Sequence, residues 1–98
     1  MSINRKDMKT FGPWTLQRRE YNGGNYDYII QSYGKRAVHL YVNDRPDFKA
    51  DRMVYTVEFS PSSSLMDLEE AADFVTEAQQ ALTAANVFQQ AIDSAESN

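Results

Sequence analysis

The fold of this chain is decided by residues 65–95, which read LMDLEEAADFVTEAQQALTAANVFQQAIDSA. The stretch is rich in alanine and glutamine and contains neither glycine nor proline, so its intrinsic preference is helical. Ser64, with Asp67 three residues later, predicts an acidic form of the capping box at the start of this helix. Acidic residues in the first turns also suit the positive end of the helix dipole. The sequence therefore predicts one long helix over residues 65–95.

Apolar side chains recur along this helix at three- and four-residue steps, the spacing of an amphipathic face. The stripe consists of Leu68, Ala71, Val75, Ala78, Leu82 and Ala85. Phe88 and Ile92 continue it at a rotated position, which indicates either a drifting stripe or a break between Thr83 and Asn86. A helix of about 30 residues measures ~45 Å and a strand of eight residues only ~25 Å, so the last turns are expected to overhang the sheet, bend over its edge or pack on another copy.

Four segments before the helix alternate apolar and polar residues with the period of two that is typical of half-buried strands. They cover residues 14–21, 26–33, 37–42 and 53–60. Asn22-Gly23-Gly24-Asn25 predicts a turn after the first, and Gly34-Lys35 predicts a two-residue hairpin after the second. Residues 43–52 predict a loop because they are dense in Asn, Asp and Pro. Residues 1–10 predict a mobile, polar lead-in, followed by a turn at residues 11–13.

These elements define one α+β domain: a four-stranded antiparallel β-meander with one long C-terminal amphipathic α-helix packed on one face, in the order ββββα. The predicted core joins alternate strand residues to the helical stripe. It holds Trp14, Leu16, Tyr28, Ile30, Val38, Leu40, Tyr55, Val57, Phe59, Leu68, Val75 and Leu82.

Charge is divided sharply along the chain. All ten Lys and Arg residues lie at or before Arg52, against six acids in the same segment, for a net charge of +4. The residues after Arg52 contain eight acids and no base, for a net charge of −8, and the two halves sum to −4. An uneven distribution of this kind indicates internal pairing or a charged partner rather than chemistry.

Several classes of function are disfavoured by the residues present. The absence of cysteine excludes a disulfide framework, a thiolate nucleophile and a Cys-ligated zinc. His39 is the sole histidine, and catalysis would need a carboxylate such as Glu58 across the sheet. Asn43, Asp44, Asp47 and Asp51 do not follow the alternating spacing of a calcium loop. We therefore expect no enzyme, no metal site and no cofactor. No apolar segment reaches the ~18 residues of a membrane span, so we expect a cytoplasmic protein.

One helix covers one face of the predicted sheet, so the other face is expected to stay open. An open face can simply be solvated, but this one combines tyrosine and arginine, which are enriched at interaction hot spots. Its proposed partner-binding residues are Arg19, Tyr21, Ile29, Tyr33, His39 and Tyr41.

A second candidate surface is the acidic ridge of the helix, which consists of Glu69, Glu70, Asp73 and Glu77. No Lys or Arg occurs on the helix, so the usual mixture of signs that supports helical ion pairs is missing. Either the sheet of the same chain offsets this charge, or the ridge attracts a basic partner.

Two alternatives remain open from the sequence. The first is a structural homodimer, formed through the sheet face or through the overhanging segment around Val87, Phe88 and Ile92. The second is a nucleic-acid-binding module that uses the sheet tyrosines with Arg18, Arg19, Lys35 and Arg36. The negative net charge and the lack of a ribonucleoprotein signature speak against the second.

The favoured interpretation is a small non-enzymatic protein-interaction domain, an adaptor or inhibitor-like accessory protein. Its size, charge and simple topology are in the style of accessory proteins from phages and mobile elements. The sequence itself identifies no partner.

Overall fold

The computed structural model describes residues 4–44, 52–58 and 65–97. Five strands precede one helix, and they are numbered in chain order. The strands are β1 (Asn4–Phe11), β2 (Trp14–Glu20), β3 (Tyr26–Ser32), β4 (Val38–Asp44) and β5 (Arg52–Glu58), and the helix is α1 (Leu68–Glu96). The four predicted strands and the predicted helix are all present, with bounds that differ by a few residues.

The strands form two sheets instead of the predicted four-stranded meander. One sheet has the order β1-β2-β3, and the other pairs β4 with β5. All pairings are antiparallel, so the α+β class is confirmed while the meander is wrong. The predicted hairpin at Gly34-Lys35 is wrong for the same reason, because β3 and β4 are not hydrogen-bonded neighbours.

Residues 4–10 are not the lead-in that the sequence predicts. They belong to β1, which pairs with β2 from Asn4 opposite Glu20 to Phe11 opposite Trp14, with an irregularity between Asp7 and Lys9. Gly12 closes the turn with a φ of 57°, a left-handed conformation that glycine adopts at little cost. The strand is polar and mostly exposed, so backbone hydrogen bonds to β2 hold most of it, while Met8 and Phe11 are partly buried against the core.

The core lies where the inward faces of both sheets meet the helix. The sheets contribute six of the predicted residues, namely Trp14, Leu16, Tyr28, Ile30, Val38 and Leu40, all buried. The Trp14 indole also donates to the carbonyl of Val38, 3.3 Å away, and thereby links the two sheets.

The buried helical face overlaps the predicted stripe only in part, since Ala78 and Ala85 are partly buried against the core while the larger stripe residues are exposed. Its buried residues are Ala81, Ala84, Phe88 and Ile92. Leu68, Val75 and Leu82, which the sequence places in the core, are 91%, 52% and 59% exposed. The small alanines allow the helix to approach the sheets closely, and Phe88 and Ile92 then fill the space between the helix and the sheets.

The helix is continuous from Leu68 to Glu96, so the predicted break between Thr83 and Asn86 does not occur. It begins later than predicted, with Asp67 as its N-cap. The carboxylate of Asp67 accepts from the backbone N–H of Glu70 at 2.8 Å. Ser64, the predicted cap, lies outside the described residues.

Strand β5 presents the opposite face from the one predicted. Val54 is partly buried against the core, whereas Met53 and Tyr55 are 60% and 45% exposed. The Gln89 side chain sets this orientation, since its oxygen accepts from the N–H of Val54 at 2.8 Å and its nitrogen donates to the carbonyl of Arg52 at 3.1 Å. The side chains of Val57 and Phe59, also predicted to be core, lie outside the described part of the structure.

Candidate functional site

Glu77, the last member of the acidic ridge, is engaged by its own chain. Its carboxylate accepts from the backbone N–H groups of Ala37 and Val38 at 2.5 and 2.8 Å. Arg36 contributes an ion pair at 3.5 Å. The Glu77 side chain therefore supplies, from the helix, the acceptors that a neighbouring strand would otherwise offer to the start of β4.

The other three members of the ridge remain exposed on the first turns of the helix. Glu69, Glu70 and Asp73 all lie at the surface. Among the described hydrogen bonds and ion pairs, none reaches their carboxylates. On the acidic ridge, the charge of Glu77 is therefore offset by the chain's own residues, whereas the other three carboxylates face solvent.

Arg19 and Tyr21, two of the proposed sheet-face residues, surround Asp27. Arg19 lies directly opposite Asp27 on the neighbouring strand and donates two hydrogen bonds to its carboxylate, both 2.8 Å long. The Tyr21 hydroxyl donates a third at 3.1 Å. The Arg19 hydrogen bond lowers the pKa of Asp27, and Asp27 in turn raises the pKa of Arg19. This cluster satisfies its own polar groups and is best understood as a cross-strand support.

The Asp27 cluster predicts a pH dependence of stability. The folded pKa of Asp27 lies below its unfolded value of about 3.9. The ionised carboxylate therefore contributes fully to folding stability above pH ~3.9, and this contribution is lost as the pH falls through the folded pKa. We expect Asp27→Asn to lower the free energy of unfolding by about 1 kcal/mol near neutral pH, with a smaller difference from wild type near pH 3. Urea denaturation at both pH values measures this. An equal loss at both would contradict the charge-dependent role.

The remaining proposed sheet-face residues are distributed along β3 and β4 and differ in exposure. Ile29 lies on β3 and is half-buried, whereas Tyr33 follows β3 and is 63% exposed. His39 lies on β4, with its Nδ1 atom 3.5 Å from the hydroxyl oxygen of Ser32. Ser32 on β3 and His39 on β4 thus lie close together although the two strands belong to different sheets. The Glu58 side chain, the suggested catalytic partner of His39, lies outside the described part.

Tyr41 belongs to an exposed apolar cluster that the sequence only partly indicates. It lies directly opposite Tyr55 in the β4–β5 register, and their rings stack with centroids 6.1 Å apart. Met53 lies two residues before Tyr55 on the same face and is 60% exposed. We name Tyr41, Met53 and Tyr55 the tyrosine patch. The sequence places Tyr55 in the core because it assigns β5 the opposite face.

A second exposed apolar surface runs along the helix. Leu68, Val75 and Leu82 are spaced seven residues apart and therefore align on one side of a helix. We name these three residues the leucine stripe. The residue types are those of a core, but the sheets pack against a different side of the helix.

The residues proposed for self-association are placed differently. Phe88 and Ile92 are 0% and 1% exposed, and Val87 is partly buried against the core. The expected overhang is therefore wrong for this segment, since its apolar side chains pack inside the molecule. Phe88 and Ile92 are therefore not exposed for contact with a second copy.

One cluster escapes sequence analysis altogether. The Tyr26 ring has the guanidinium carbons of Arg18 and Arg52 at 3.8 and 4.2 Å from its centroid. Glu96 pairs with Arg52 and accepts from the hydroxyls of Tyr26 and Tyr28 at 2.7 and 3.1 Å. Burial raises the pKa of Tyr28. The cluster fastens the last helical turn to both sheets, and no sequence spacing reveals a contact across about 70 residues.

Within the described residues, no group of three or more His, Cys, Asp or Glu side chains could hold a metal ion. Asp47 and Asp51, half of the candidate calcium loop, lie outside those residues. The helix that the structure describes is not apolar enough to cross a membrane.

No protein-family model matches this chain, no curated protein matches it, and no solved structure matches it, so its function has to be argued from its own residues.

Proposed function

We propose that this chain is a small, non-enzymatic protein-interaction domain that binds a protein partner through the tyrosine patch. The observation that carries the proposal is the exposure of Tyr41, Met53 and Tyr55 side by side on the outer face of the β4–β5 sheet. Tyrosine and methionine are both enriched at protein–protein interfaces relative to other surfaces. The two stacked rings present a flat apolar surface whose hydroxyl groups can still bond to a partner.

The state of the basic residues supports a protein partner over nucleic acid. Arg18 pairs with Glu20, Arg19 with Asp27 and Arg36 with Glu77. Three of the four bases suggested for phosphate binding thus already contact carboxylates of the same chain. Binding a phosphate there would require these internal pairs to break.

The test uses extracts of cells that naturally express the chain and compares how well three variants capture the partner. The variants are a double tyrosine change, a control tyrosine change and a charge reversal on the acidic ridge. We expect Tyr41→Ala combined with Tyr55→Ala to weaken the captured partner's affinity by at least about 30-fold, the effect of losing one hot-spot residue. Tyr33→Ala is the control, because it removes a tyrosine outside the patch that is more exposed than Tyr41 or Tyr55. All variants should keep the wild-type unfolding midpoint to within a few degrees.

Reversal of charge at Glu69, Glu70 and Asp73 separates the two candidate surfaces. Partner binding that survives this reversal but not the double tyrosine change supports the proposal. Binding that is lost on charge reversal and kept in the double tyrosine variant would move the site to the acidic ridge and overturn it.

A further inference from the structure

We propose that the leucine stripe is the interface of a weak antiparallel homodimer, in which the helices of two copies pack with Val75 on the two-fold axis. This inference is independent of the tyrosine patch, which lies on a different element. It starts from three large aliphatic side chains on one helical line, all more than half exposed. Their seven-residue spacing is that of a helix–helix contact.

The stripe is self-complementary about its centre. Leu68 and Leu82 lie seven residues before and after Val75, so a two-fold axis through Val75 places Leu68 of one copy opposite Leu82 of the other. A two-fold interface requires such a patch, in which each residue meets its symmetry counterpart. Ala72 and Gln79 are exposed between the large residues and carry no charge. A small residue such as Ala72 allows two helices to approach closely.

The charge distribution on the helix is compatible with a second copy and favours this orientation. Successive residues turn by about 100°, so Asp73 and Glu77, two residues before and after Val75, lie about 200° around the helix from it. Residues 78–92 contain no charged side chain. In the antiparallel pair, Glu69 and Glu70 lie level with uncharged Ala81 and Gln80 of the other copy. In a parallel pair, the acidic first turns would instead lie side by side and repel.

The size of the stripe sets the expected strength of association. Specific interfaces bury ~800 Å² per partner, and a stripe one side chain wide over two heptads, ~21 Å long, provides less than that. We therefore expect a dissociation constant on the order of 0.1 mM. Sedimentation equilibrium over about 0.01–1 mM should show a mass that rises from monomer towards dimer.

Cysteine cross-linking tests the geometry, because the chain has no cysteine of its own. We expect Val75→Cys to form a disulfide-linked dimer, since two-fold symmetry brings the two residues together. Leu68→Cys should cross-link to Leu82→Cys in a mixture but not to itself, because its own counterpart would be ~21 Å away. Asp73→Cys is the matched control, exposed on the opposite side of the same helix.

Three results would overturn the proposal. They are a monomer throughout the concentration range, cross-linking of Asp73→Cys as fast as that of Val75→Cys, and Leu68→Cys homodimers forming faster than the mixed species. The last result would indicate a parallel pair instead. None of these outcomes bears on the tyrosine patch, so failure here is distinguishable from failure of the proposed function.

Discussion

Replacing Phe88 with alanine is expected to lower the free energy of unfolding by about 3–5 kcal/mol, the usual cost of removing a fully buried phenylalanine. Phe88 is 0% exposed and belongs to the core cluster that the helix forms with both sheets. Its removal forfeits apolar burial and leaves a cavity that the sheets can close only in part. Chemical denaturation with a common slope for wild type and variant gives the difference directly.

Leu82→Ala is the informative control for this measurement. Hydrophobic patterning assigns Leu82 to the core, whereas the structure leaves it 59% exposed. We expect its replacement to change the free energy of unfolding by no more than about 0.5 kcal/mol in dilute solution. A larger effect at Leu82 than at Phe88 would mean that the helix packs on the other face.

The second large effect is expected at Glu77, whose carboxylate accepts from the N–H groups of Ala37 and Val38. Glu77→Ala would leave both donors without this acceptor in a partly buried position and would remove the Arg36 ion pair. We expect a loss of about 2–4 kcal/mol in the free energy of unfolding. Amide hydrogen exchange at Ala37 and Val38 should accelerate more than exchange in β2.

Two further substitutions separate this role from the general acidity of the helix. Glu69→Ala removes a carboxylate from the same helix at an exposed position, and we expect a change within about 0.5 kcal/mol. Glu77→Gln keeps one acceptor oxygen and should fall between wild type and Glu77→Ala. Equal losses for Glu69→Ala and Glu77→Ala would contradict the bridging role.

Strand alternation predicts the sheet half of the core well. In β2, β3 and β4 the inward residues Trp14, Leu16, Tyr28, Ile30, Val38 and Leu40 are all buried as expected. Alternation succeeds here because each strand has one apolar and one more polar face, so that only one orientation removes the apolar residues from water. The hairpin at Asn22–Asn25 is likewise local and is confirmed by the β2–β3 pairing.

Prediction fails where two faces compete on nearly equal terms. The helix carries one stripe with Leu68 and Leu82 and another with Phe88 and Ile92, and apolar content alone does not choose between them. In β5, the pair Met53 and Tyr55 is larger than Val54 and Thr56, so patterning selects the wrong face. The buried face of β5 depends on its hydrogen bonds to Gln89, and the buried face of the helix depends on the close approach to the sheets that alanine permits. Both are contacts between residues far apart in the sequence.

The sequence does not reveal strand β1, for a different reason. Its residues are polar on both faces apart from Met8 and Phe11, and no alternation marks it. An edge strand needs only one hydrogen-bonded neighbour, which a sequence window cannot display. The tyrosine patch is only partly predictable. The outward position of Tyr41 follows from local alternation in β4, whereas the exposure of Tyr55 and Met53 depends on the orientation of β5.

The two hydrogen bonds from Gln89 to β5 also determine how the small sheet terminates. A primary amide carries one acceptor and paired donors on a planar unit, so it imitates a single peptide group of a missing sixth strand. A strand from another molecule would have to displace the Gln89 amide before it could pair with β5 and begin a growing cross-β ribbon. We therefore expect the helix to hinder strand addition at Arg52 and Val54, the same point where it completes the fold.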